Sequence, residues 1–202
     1  MSVAEERIRA VEARIVKNDF ETAVAFDTDG NVVFEKIGVE NEVGFTLDEL
    51  SGVNGYILTH NHTYDKQCET FGVEGTSPFS SDDLFIAYKQ GLHEVRMVVG
   101  NELHTLSWHE PLERAVHRFI WEMEELEQDS IVLIDEIGIK AVETMDLFHS
   151  NPSLHNQESA NVALTKYYEE LKLQSDRVSD FISSNQHIGF TFRKERVLWN
   201  IM

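Results

Sequence analysis

Apolar and polar positions change period along this chain, and each change marks an element. Over residues 3–16, Val3, Ile8, Val11 and Ile15 recur near helical spacing among charges, predicting an N-terminal helix that ends near Lys17 and Asn18. Two apolar runs, Glu21–Phe26 and Val32–Ile37, flank Asp27-Thr28-Asp29-Gly30, which reads as an antiparallel hairpin. TLDELSG at 46–52 reads as a short helix capped by Thr46, with Glu49 three positions on. GYILTHNH is an apolar strand that runs into two histidines, and residues 63–79, with Gly72, Gly75 and Pro78, keep no period and read as a loop. Ser80 then heads a helix, SSDDLFIAYKQG, with acids in its first turn and a Gly91 stop. EVRMVVG and ELHTLSW follow as short strands.

From Pro111 the period is helical. PLERAVHRFIWEMEELEQ, residues 130–149 and residues 156–183 each predict a helix, with Asn151-Pro152 separating the last two. The final HIGFTFRKERVLWNIM alternates as a strand or hairpin does. The pattern divides the chain into an α/β unit over 1–108 and a mainly helical extension over 109–202. In the extension, Leu112, Val116, Phe119 and Met123 are spaced for one buried face. Residues 131–148 are too apolar for a free-standing helix, so they are expected to pack against the core or against another chain, a second copy included.

Charge narrows the partners. The 202 residues hold 17 Lys+Arg against 36 Asp+Glu, a net charge of -19. Such a chain is repelled by phosphate backbones and anionic lipids, which argues against nucleic-acid and membrane-surface partners. No apolar run approaches the ~20 residues that span a bilayer, and the charged N-terminal stretch has no apolar core of a signal peptide. The cytoplasm is the expected location. A single cysteine, Cys68, allows neither an internal disulfide nor a Cys-based zinc site.

The segment from Leu58 to Leu84 carries the candidate chemistry. In His60-Asn61-His62, alternate residues of an extended chain point the same way, so both imidazoles are able to converge on one metal ion. Asp83, in the first turn of the next helix, adds a carboxylate oxygen. Two histidines and one aspartate, with the fourth position left for water, make an open catalytic zinc site.

These residues resemble the motif of the JAB/MPN (JAMM) metalloproteases: His-x-His, a spacer, then Ser-x-x-Asp, with a glutamate upstream. His60, His62, Ser80 and Asp83 match it, and the phrases ILTHNH, SPFSSDDL and GLHEVRMVVGNELHTL are similar to bacterial and phage-associated branches. The similarity spans about residues 20–108. Two features depart from it: Thr63 stands where a proline is usual, and residues 63–79 form a longer spacer than the usual seven. Loop closure tolerates the longer spacer, at ~0.6 kcal/mol per doubling of length. The resemblance implies an α/β fold with a curved mixed sheet flanked by helices. It also implies a Zn²⁺ cofactor held by His60, His62 and Asp83. An upstream glutamate acts as the base; Glu21 occupies the expected place, with Glu35, Glu40 and Glu42 as alternatives.

The function implied is a zinc metallopeptidase that hydrolyses a peptide or isopeptide bond with a metal-activated water. Glu21 takes the proton, and the Ser80 hydroxyl stabilises the tetrahedral oxyanion. The substrate is then a protein or peptide, ubiquitin-like tails among them. Residues 64–78 are expected to form a flap beside the metal, and the acidic extension to recognise a basic protein partner. The competing readings are a non-catalytic JAB/MPN scaffold and a phage or host-conflict protein that binds a protein partner.

Overall fold

The computed structural model describes residues 1–39, 43–45, 49, 55–63, 78–109 and 113–199. The expected helix over 46–52, the expected flap and Cys68 therefore fall wholly or mostly outside the described residues. The elements run α1 (Val3–Ile15), β1 (Thr22–Phe26), β2 (Val32–Ile37), β3 (Ile57–Asn61), α2 (Ser81–Lys89), β4 (Glu94–Val99), β5 (Glu102–Trp108), α3 (Glu113–Ser150), α4 (Leu154–Ser184) and β6 (Phe190–Arg196). The fold is mixed α/β with a helical C-terminal part.

The hairpin forms where Asp27 organises its turn. Its carboxylate accepts the backbone N–H of Asp29 and Asn31 at 2.9 and 2.8 Å. Gly30 follows at φ 75°, and a Cβ there would lie 2.6 Å from the Ala4 carbonyl oxygen, so only glycine lets the turn meet the start of α1.

Among the described residues six strands form one sheet in the order β2-β1-β3-β4-β5-β6. β3 and β4 are parallel and the other neighbours antiparallel. Both faces are covered, which is why every residue of β4 and β5 is buried. On one face α1 lays Ile8 and Ile15 against Val24, Phe26, Val98 and Leu103. On the other, Ala23, Ala25, Leu58, Met97 and Leu106 meet α2 and the sheet-proximal ends of α3 and α4, through Leu84, Phe119, Met123, Val178 and Ile182. One core thus draws residues from both sides of position 108, and β6 adds the last strand, from Glu102↔Arg196 to Trp108↔Phe190.

α3 and α4 are an antiparallel pair. Phe119 stacks on Phe181 at 5.2 Å near the sheet, and Tyr167 reaches to 3.2 Å from where a Gly138 side chain would begin, far along the hairpin. Two helices were expected over 111–149, but α3 is one helix of 38 residues, roughly 57 Å. No glycine or proline interrupts 127–131, and the Ser130 hydroxyl donates to the Leu126 carbonyl at 2.9 Å, so the polar stretch continues the helix. The apolar stretch over 131–148 does not reach the core. Ile137 and Ala141 are buried, while Ile131, Val132, Leu133, Ile139, Val142 and Leu147 remain exposed.

Candidate metal centre

The site lies where β3 ends. Alternation along β3 sends Leu58 and His60 to the α2 side and Thr59 and Asn61 to the α1 side; His60 pairs with Ala23 across the strands. His62 continues the alternation, its N–H bonding the Val98 carbonyl at 3.0 Å. The two Nε2 atoms are 3.2 Å apart. His60 is buried, with Phe79 tilted against its ring at 6.5 Å.

Asp83 arrives from α2 by a capping box. The Ser80 hydroxyl accepts the Asp83 N–H at 3.1 Å, and one Asp83 oxygen, Oδ2, accepts both the Ser80 N–H and the Ser80 hydroxyl at 2.8 Å. The other, Oδ1, is left 3.7 Å from His60 Nε2. Ser80 thus divides the carboxylate, binding one oxygen and turning the other to the histidines.

This donor set fits a metal ion. Two ligands on a tetrahedral zinc at ~2.0–2.1 Å stand roughly 3.3 Å apart. The histidine nitrogens meet that spacing at 3.2 Å, and all three donor atoms lie within 4.8 Å of one another. Among the described residues no other cluster of three histidine, cysteine or acidic side chains does so.

The electrostatics leave His62 and Asp83 in the protonation states a metal requires. Burial, reinforced by His60 and His104 and opposed by Asp83, pushes His62 down from 6.5 to about 3, so its ring is neutral. Burial alone would raise the Asp83 carboxyl. The His60 ring beside it and the hydrogen bonds from the Ser80 N–H and hydroxyl outweigh it, and the carboxyl is held below its ordinary value.

Glu21 immediately precedes β1. The register that sets Ala23 opposite His60 puts Glu21, two residues back, on the same sheet face as His62. Asn61, fully buried, holds the chain on both sides of Glu21. Its side-chain oxygen accepts the Thr22 N–H at 2.7 Å, and its amide donates to the Phe20 carbonyl at 3.1 Å. Glu35 is placed otherwise. It pairs with Val24 on the α1 face, where Arg14 grips both its oxygens at 2.9 and 3.0 Å. Glu40 and Glu42 lie outside the described residues.

Two residues at the site carry no local sequence signal. Asn61 is the middle of His-x-His and points away from the metal face. Glu127, on α3, accepts the Ser81 N–H and hydroxyl at 2.9 and 2.7 Å, tying the extension to the first turn of α2. Burial, opposed by the Ser81 hydrogen bonds and aided by Asp83 and Asp82, raises its carboxyl. A pairing 46 residues apart in the chain leaves no spacing to read.

Compared with family models, with curated proteins and with solved structures, the chain matches none. Among the described residues no helix is long and apolar enough to cross a membrane.

Proposed function

We propose that this chain is a zinc-dependent hydrolase of peptide or isopeptide bonds, with a site of the JAB/MPN type. The observation that carries the reading is the 3.2 Å approach of His60 Nε2 to His62 Nε2, with Asp83 Oδ1 turned toward them. Zinc held by such a set supplies Lewis-acid polarisation of a carbonyl and lowers the pKa of water from 15.7 towards roughly 7.

The chain's own residues have separable tasks. His60 and His62 present their Nε2 nitrogens, and Asp83 offers Oδ1, the oxygen that Ser80 does not bind. Glu21, on the His62 face and fixed through Asn61, accepts the proton of the attacking water and returns it to the leaving amine. The Ser80 hydroxyl donates to Asp83 and holds the carboxylate in place. Turning toward substrate to meet an oxyanion would cost it that bond. The substrate is a protein or peptide, since an acidic chain disfavours nucleic acid.

The test is hydrolysis of fluorogenic peptides and of isopeptide-linked ubiquitin-like conjugates before chelation, after chelation and after zinc is restored. The proposal expects cleavage that chelation abolishes and zinc restores. It expects Glu21→Gln to keep its metal and lose turnover. Cleavage that survives chelation contradicts the reading, and metal binding with no cleavage of any conjugate favours the scaffold.

A further inference from the structure

Away from the sheet, the α3–α4 hairpin has an apolar groove of about 700 Å³ along its side. Ile139, Val142 and Met145 of α3 line it against Leu164 of α4. Ile139 and Val142 are each 62% exposed. These residues follow helical spacing, so the exposure is a continuous stripe and not scattered single side chains. The stripe continues to Ile131, also exposed. Two acids interrupt it, Asp135 and Asp146, eleven residues apart on the same side of the helix and both lining the groove.

We infer that this groove docks a cationic amphipathic helix of a partner protein, which completes a three-helix bundle with α3 and α4. An apolar groove between two antiparallel helices has the shape that takes a third helix's apolar edge. The two aspartates select the occupant's flanks, because each would be desolvated beside apolar surface and needs a lysine or arginine to face it. The surroundings have the same sign. Between Ile131 and Tyr168 the hairpin carries Asp135, Glu136, Glu143, Asp146 and Glu158 against only Lys140 and Lys166. A second copy would bring the same acids to the same groove, in a chain whose net charge is -19, so charge disfavours self-association here. The groove begins at Ile134, roughly 10 Å along α3 from Glu127, the residue that grips the first turn of α2.

The experiment uses the full-length protein and two synthetic helical peptides of about 18 residues, roughly 27 Å of helix. Both carry the same leucine face; one has lysine flanks and the other glutamate flanks. Fluorescence anisotropy reads affinity for the wild type, for Ile139→Asp/Val142→Asp and for Asp135→Lys/Asp146→Lys, and circular dichroism verifies the fold of each. The proposal expects the lysine peptide to bind at least about tenfold tighter than the glutamate peptide, a difference worth about 1.4 kcal/mol. It expects Ile139→Asp/Val142→Asp to abolish binding, and Asp135→Lys/Asp146→Lys to reverse the preference. Equal binding of the two peptides overturns it, as does lysine-peptide binding that Ile139→Asp/Val142→Asp leaves unchanged. A dimer in light scattering that the same variant dissolves also overturns it, because the occupant is then a second copy. No arm needs metal or hydrolysis, so this inference and the metallopeptidase reading fail separately.

Discussion

The side-chain oxygen of Asn61 accepts the Thr22 N–H at 2.7 Å, while its amide reaches the Phe20 carbonyl one residue beyond Glu21. The strand that carries the histidines thereby fixes the backbone that carries the candidate base. Asn61→Ala is expected to retain the metal and to lower kcat about 10–100-fold, because Glu21 loses its anchor without losing its carboxylate. The buried Thr22 N–H left without its partner should cost roughly 1–3 kcal/mol of stability. Metal content, kcat and a denaturant melt check the three parts. Unchanged kcat in a folded variant would remove Asn61 from the mechanism.

Glu127 should tune the metal through Ser81. Glu127→Gln keeps an acceptor but only one oxygen, for two donors 2.9 and 2.7 Å away. The first turn of α2 then loses part of its hold, and zinc affinity is expected to drop about tenfold, within the range for residues that support metal ligands. Competition with a fluorescent chelator measures this. An affinity equal to wild type would confine Glu127 to packing.

Ser80→Ala separates two roles for one hydroxyl. As the cap of α2 and the donor to Asp83 Oδ2, its loss should cost about 0.5–2 kcal/mol of stability and weaken zinc binding. As an oxyanion donor, its loss would lower kcat by roughly 10²–10³ at saturating zinc. The geometry favours the first outcome. Assays at saturating and at limiting zinc distinguish them, since an Asp83-orienting role is rescued by excess metal and an oxyanion role is not.

Much of this site was legible because its signals are local. The alternation of a strand puts His60 and His62 on one side, and the spacing from Ser80 to Asp83 is that of a capping box; neither depends on distant chain. The Asp27–Gly30 turn and the Pro152 break are likewise set by neighbouring residues. What escaped is long-range or depends on the absence of a stop. Glu127 meets Ser81 only after α3 folds back over α2. The buried Arg96, from β4, joins Glu5 and Glu12 of α1 and Glu94 of its own strand, and all but the last are far apart in sequence. The polar stretch near Asp129 looked like a boundary but contains nothing that breaks a helix. That Glu21 and Glu35 face opposite sides of the sheet is likewise not legible in the sequence, because it follows from the sheet register.

The depressed His62 sets a pH dependence of stability. Its ring holds a proton up to about 6.5 when unfolded but only to about 3 when folded. Between those values the unfolded chain binds more protons, so the stability this residue contributes is fully present above pH 6.5 and is lost as pH falls toward 3. Melts of metal-free protein from about pH 8 to pH 4 should show the wild type losing more Tm on acidification than His62→Gln. His104 is also lowered by burial but is common to both proteins, so the difference reports His62. Parallel slopes would mean that His62 is solvated in the folded chain.

The account rests on whether His60, His62 and Asp83 hold an ion together. Elemental analysis of the zinc-loaded, desalted protein, with each of the three replaced in turn by alanine, measures this directly. The expected result is one zinc per chain in the wild type and in Glu21→Gln, with little or none in His60→Ala, His62→Ala and Asp83→Ala while each variant still folds. A wild type that retains no zinc, or alanine variants that retain as much as the wild type, would contradict it.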